Sequence, residues 1–192
     1  MATTNSDPVQ DYILENQDNL RIAVAVSGAW AEAGEKLVAG FLDRLRSRLE
    51  ETLKGWEFKR WGCYLNDSDA GFDFWKPGWK EEYYVALEFW SLGREGSFGL
   101  GRDASQEYIK KRSHCGELLA AVRERYASAG ARNWWEAEVT LQSPAADWSK
   151  PEVLWQMHSD PKFLEDVAAQ LLEVAKISEP IVDRFVNQLA KK

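Results

Sequence analysis

Histidine and cysteine are scarce in this sequence: two of each among 192 residues. That scarcity removes several kinds of chemistry at once. No Cys/His pair has the short spacing of a zinc site. His114 and Cys115 are adjacent, so on a helix their side chains diverge by about 100° and do not chelate as a local pair. Asp67 and Asp69 lie two apart in a turn cluster, as in calcium loops, but the following ligands and the closing glutamate are missing. No metal and no cofactor is therefore expected. Two cysteines, Cys63 and Cys115, do not make a disulfide framework, and reduced thiols are the expected state. The start, Met1 to Asp7, has no basic stretch leading into an apolar one, which predicts no secretory signal and a cytoplasmic location. The most apolar early run, Ile22 to Trp30, is too short to span a bilayer, so no membrane association is expected.

Catalytic signatures are lacking too. Gly99-Leu100-Gly101 has no third glycine and no lysine after it, which excludes a dinucleotide fingerprint or a phosphate-binding loop. Ser27-Gly28 lacks the glycine spacing of a nucleophile elbow. Cys115 falls on an apolar stripe and reads as a packing residue. No catalytic residue is assigned.

What is present is a globular composition: 45% hydrophobic, 29% charged, with a formal charge of −7. The acidity gives no general attraction to nucleic acid or anionic membranes. It is uneven, however. Segments 36–61 and 101–132 each carry +3, and they read as solvated helix faces or, alternatively, a phosphate-facing edge. The length fits one domain, 1–192, with 1–54 a helical portion and 55–192 a sheet-centred portion.

Asp7-Pro8 is a helix start. A helix to about Leu20 is followed by one from Ile22 that loosens at Ser27-Gly28 and runs on to Leu53. Leu37, Phe41, Leu45, Leu49 and Leu53 mark its buried stripe, and Gly55 ends it. Strands then follow: Trp56 to Leu65, Phe72 to Trp75, Tyr83 to Trp90 and Ser97 to Gly101. In the third, Tyr83, Val85, Leu87 and Phe89 face the core and Tyr84, Ala86, Glu88 and Trp90 face away. Short connections imply antiparallel pairing. A helix from Ala104 to Ser128 precedes a fifth strand, Asn133 to Gln142. Pro144 to Pro151 is a loop, and Asp160-Pro161 opens a last helix that Pro180 interrupts or kinks. The expected fold is α+β, an antiparallel sheet of about five strands, in the order α-α-β-β-β-β-α-β-α-α, packed against helices.

Ten tryptophans stand out. They are first a packing feature. Tyr84, Trp90 and Trp134, with Glu88 and Glu136 between them, form the candidate ligand-binding face, since outward aromatics stack sugars or bases or anchor a protein. The interleaved carboxylates disfavour phosphate. Lys110, Lys111 and Arg112 are the candidate nucleic-acid contact. Asp73 and Glu88 recur on successive strands as in metal-dependent nucleases, but Trp90 stands where those enzymes carry lysine. An enzyme would need Lys59 or Lys80 in its place.

The stretch Trp79 to Gly101, with Tyr83-Tyr84-Val85-Ala86-Leu87-Glu88-Phe89 and then Ser97-Phe98-Gly99-Leu100, resembles the C-terminal accessory region of bacterial PD-(D/E)xK-superfamily nucleases. The matching order of elements spans about Trp56 to Leu189. The resemblance implies a DNA-defence or mobile-element context without the catalytic core, hence a module that binds protein or nucleic acid. The alternatives are an acidic phage- or plasmid-type inhibitor acting by protein contact, and a metal-dependent nuclease-like enzyme.

Overall fold

The structure, a computed structural model, describes residues 7–64, 67–79, 82–91, 94–103, 115–132, 134–142 and 145–189. Helix α1 (Pro8–Leu14) is capped by Asp7, whose carboxylate accepts from Val9 N at 2.9 Å. Asn16 then caps α2 (Gln17–Thr52), accepting from Asn19 N at 2.8 Å. The break between the two helices thus falls at Glu15-Asn16, where a new capping side chain is available. Beyond it, α2 passes through Ser27-Gly28 as one helix of 36 residues, where a loosening was expected. Glycine costs about 1 kcal/mol in a helix interior, which the surrounding strong helix formers absorb.

Six strands form one open antiparallel sheet: β1 (Glu57–Trp61), β2 (Asp69–Trp75), β3 (Tyr83–Trp90), β4 (Glu95–Arg102), β5 (Gly130–Arg132) and β6 (Trp135–Thr140), in the spatial order β1-β2-β3-β4-β6-β5. The α+β class and the antiparallel pairing agree with the sequence. The sixth strand, β5, is three residues long and too short to carry a pattern; it forms because β6 offers it an edge. Helix α3 (Gly116–Arg125) falls within the expected 104–128 helix, of which 104–114 lie outside the described residues. Cys115 is its N-cap, in extended conformation, with Sγ accepting from Leu118 N at 3.4 Å. Helix α4 (Pro151–Ser159) follows the last strand, and α5 (Pro161–Leu189) continues without interruption past Pro180. Burial of Val174, Ala175, Ile181 and Val182 on both sides of the proline holds that turn in helical register against the core.

The core lies on one face of the sheet. Val38, Phe41, Leu42, Leu45 and Leu49 of α2 meet Phe74, Val85, Leu87, Phe89 and Leu100 of the strands, with Val167, Leu171 and Val174 of α5 closing the other side. Trp148 is its aromatic hub, stacked on Tyr64 at 5.3 Å and touching Phe89 at 4.0 Å and Phe41 edge-on at 5.5 Å. The β2–β3 connection is tied to α5 by Lys76, which pairs with Glu179 and Asp183 at 2.9 and 2.6 Å, and by Trp79 Nε1, which donates to Asp183 at 2.8 Å. No helix among the described residues is long and apolar enough to cross a membrane.

Candidate functional site

Because side chains alternate along a strand, the face opposite the core is made by Lys59 and Trp61 of β1, Asp73 and Trp75 of β2, and Tyr84 and Glu88 of β3. The register confirms the grouping: Lys59 lies opposite Asp73, and Glu88 opposite Gly71. Asp103, just past β4, and Trp134, just before β6, complete the rim. Together these eight residues line a recess of about 370 Å³.

Two glycines flatten its floor. A Cβ on Gly71 would come within 2.4 Å of the Trp61 ring, and one on Gly101 within 2.3 Å of the Tyr84 ring. Each aromatic therefore lies down on the neighbouring strand in the space a side chain would fill. The Trp61 indole is further held by donating from Nε1 to Asp73 Oδ2 at 2.8 Å. Rings pinned this way lose little freedom when a ligand docks, which favours binding.

The electrostatics are unusual for an acidic face. Burial, with Asp73, Glu138 and Asp69 adding to it, pushes the Glu88 carboxyl up to about 8. It therefore carries a proton at neutral pH and can donate a hydrogen bond. Burial also raises Tyr84 well above the ordinary phenol range, with Glu88, Asp73 and Asp103 contributing, so its hydroxyl stays protonated. The recess thus offers neutral donors between aromatic walls, with one lysine and the Asp73 and Asp103 carboxyls at its edge. Among the described residues no set of three or more histidine, cysteine or acidic side chains is arranged to hold a metal ion.

Of the residues singled out in the sequence, Tyr84, Glu88 and Trp134 come together here. Trp90 shares their face but sits beyond the recess, its ring edge-on to Trp135 at 6.4 Å. Glu136 is buried. Its carboxylate accepts from Cys115 N at 2.7 Å and pairs with Arg102 at 3.5 Å, a structural arrangement that fastens the start of α3 to β6. Glu138 is likewise engaged, with Ser97 Oγ and Arg132 each at 2.9 Å. Lys110, Lys111 and Arg112 lie outside the described residues. Asp73 and Lys59, named only for the enzyme alternative, prove to be recess residues. Lys80, its other candidate lysine, lies outside the described residues.

Trp61, Trp75 and Asp103 carry no local signal of a site. Their convergence depends on the β1–β2–β3 register, which short strands do not reveal before pairing is known. Gly71 and Gly101 were the available hint, since an interior strand glycine often marks a close approach. Comparison with protein-family models, with curated proteins and with solved structures finds no match to this chain.

Proposed function

We propose that this chain is a non-catalytic binding module that takes its ligand in the recess on the open sheet face. The observation that carries the reading is the convergence of Trp61, Trp75, Tyr84 and Trp134 around a protonated Glu88 on paired strands. Aromatic walls with polar donors suit an uncharged ring such as a sugar, or the cationic side chain of a protein partner, which the ring faces and the Asp73 and Asp103 carboxyls attract. Phosphate is disfavoured, because Lys59 is outnumbered by acids at the same rim. The resemblance of Trp56 to Leu189 to the accessory regions of PD-(D/E)xK nucleases supports a DNA-defence or mobile-element setting for that binding.

The test is a tryptophan-fluorescence titration with neutral oligosaccharides and with lysine- and arginine-containing peptides, set against duplex DNA at low salt. Trp134 is 53% exposed, so Trp134→Ala removes a wall of the recess without disturbing the core. Binding of one of the first two ligands, weakened about tenfold or more in Trp134→Ala, is expected. A response to DNA alone that fades with salt would instead place the ligand on a basic surface.

A second reading has one observation in its favour. Asp73, Glu88 and Lys59, the residues an enzyme would need, share the recess, and Glu88 holds its proton near neutrality as a general acid must. That reading requires turnover of a bound substrate that is lost in both Asp73→Asn and Glu88→Gln.

A further inference from the structure

Large exposed apolar side chains are concentrated at one place in this molecule. Val9, Tyr12, Leu14, Leu20, Ile22, Val24, Val26 and Trp30 all stand in solvent on α1 and the first part of α2, between 45% and 76% exposed. Only Trp134, in the recess, and Trp155 are comparable elsewhere among the described residues. The first half of α2 overhangs the body of the protein: its residues, among those whose side chains are described, are exposed or half-exposed until Gly34. The stripe that packs on the core, through Val38, Phe41, Leu45 and Leu49, continues at helical spacing into this overhang as Leu20, Val24 and Ser27, which are exposed. An apolar patch of this kind marks an interaction site.

The sequence of the overhang is suited to itself read backwards. The uncharged run of this overhang, Ile22 to Ala31, has its midpoint between Val26 and Ser27. An antiparallel pair confined to that stretch is therefore centred there. It is then level with itself at fixed positions: Arg21 of one copy with Glu32 of the other, and Ala23 with Trp30. No charged residue lies between Arg21 and Glu32, so the charges nearest the apolar stretch meet with opposite sign at both ends, each beside its exposed intrachain partner, Asp18 at 3.5 Å and Lys36 at 2.6 Å. The largest side chain meets one of the smallest, and Ser27 at the axis lets the backbones approach. A parallel pair would set Arg21 against Arg21, Glu32 against Glu32 and Trp30 against Trp30. The contact is about 20 Å long at 1.5 Å per residue.

We infer that the overhang of α2 is a homodimer interface, in which two copies of this chain pair antiparallel about a two-fold axis beside Val26 and Ser27. The pairing is isologous, so one patch serves both copies and the assembly closes at two. It leaves the recess, on the far side of the sheet from α2, open in each copy.

The experiment uses the full chain in sedimentation equilibrium across a concentration series. A dimer is expected. Arg21→Glu and Glu32→Arg should each weaken it by about tenfold, since the pair occurs twice per dimer, and the double variant should recover the original affinity. Direction is read by oxidative cross-linking with Cys63 and Cys115 changed to serine. Ser27→Cys should cross-link to its own copy, whereas Leu20→Cys, whose two copies lie about 20 Å apart along an antiparallel pair, should not. A monomer at every concentration, equal cross-linking at both positions, or no recovery in the charge-swapped double variant would each overturn the inference.

Discussion

A single carboxyl shows how far an environment can move a residue from its textual appearance. Glu88 reads in sequence as the solvent-side member of an alternating strand, yet it is only 8% exposed. Burial, with the nearby Asp73, Glu138 and Asp69 carboxylates adding to it, pushes its pKa from the usual 4.5 up to about 8. The sign of the consequence follows from proton binding. Between about pH 4.5 and 8 the folded state holds a proton that the unfolded state has released, so the contribution of this group to stability is greatest below that window and falls as pH rises through it. In Glu88→Gln the dependence should vanish. Urea unfolding at pH 9 should then find the variant more stable than the parent by on the order of 2–4 kcal/mol, with the difference closing near pH 4. An unchanged pH profile would mean that Glu88 is ionised throughout.

At the scale of the element, α2 is two helices in energetic terms. Its second half is held by the core, through Phe41, Leu45 and Leu49, and its first half by backbone bonds and the Asn16 cap. Isolated helices of about 15 residues are marginal in water, so at concentrations where the chain is unpaired the overhang should open locally, far more often than the domain unfolds. Gly28 is the place to observe this, because a Cβ there would meet nothing within 4 Å. Gly28→Ala should slow amide exchange across 17–33 by a factor of about 5, corresponding to about 1 kcal/mol of helix propensity. The global midpoint in urea should stay where it is. A shifted midpoint would mean that the two halves of the helix unfold as one unit.

For the whole molecule, the tie between sheet and helices is concentrated at Asp183. This residue accepts from the buried Trp79 indole at 2.8 Å and from Lys76 at 2.6 Å, joining the β2–β3 connection to the far end of α5. Replacing it by alanine leaves the Trp79 N–H, at a fully buried side chain, without its acceptor, which costs about 1–3 kcal/mol. Asp183→Ala should therefore lower global stability by that amount in urea unfolding. Asp183→Asn keeps an acceptor for the indole and should recover most of it. Equal loss in both variants would assign the tie to the charge on Lys76.

Class, antiparallel pairing and the inward row of β3 were legible in the residues, because alternation and helical spacing are local properties that the chain carries wherever it folds. The same is true of the cap at Asp7 and of Phe41, Leu45 and Leu49 in the core stripe, whose end members Leu37 and Leu53 are half-buried. Other features depended on neighbours. Gly130–Arg132 became a strand only because β6 presented an open edge, and α5 ran past Pro180 because both flanks were buried. By alternation Trp135 falls on the face of the buried Ala137 and Val139. The register shift opposite Leu100 and Gly101 leaves it outside the core cluster, with its ring against Trp90, since one extra residue in a strand reverses the faces beyond it. The site divides in the same way. Tyr84, Glu88 and Trp134 were identifiable one strand at a time, whereas Trp61, Trp75 and Asp103 joined them only through the pairing of five strands. That pairing is set by long-range contacts, which no local stretch of sequence encodes.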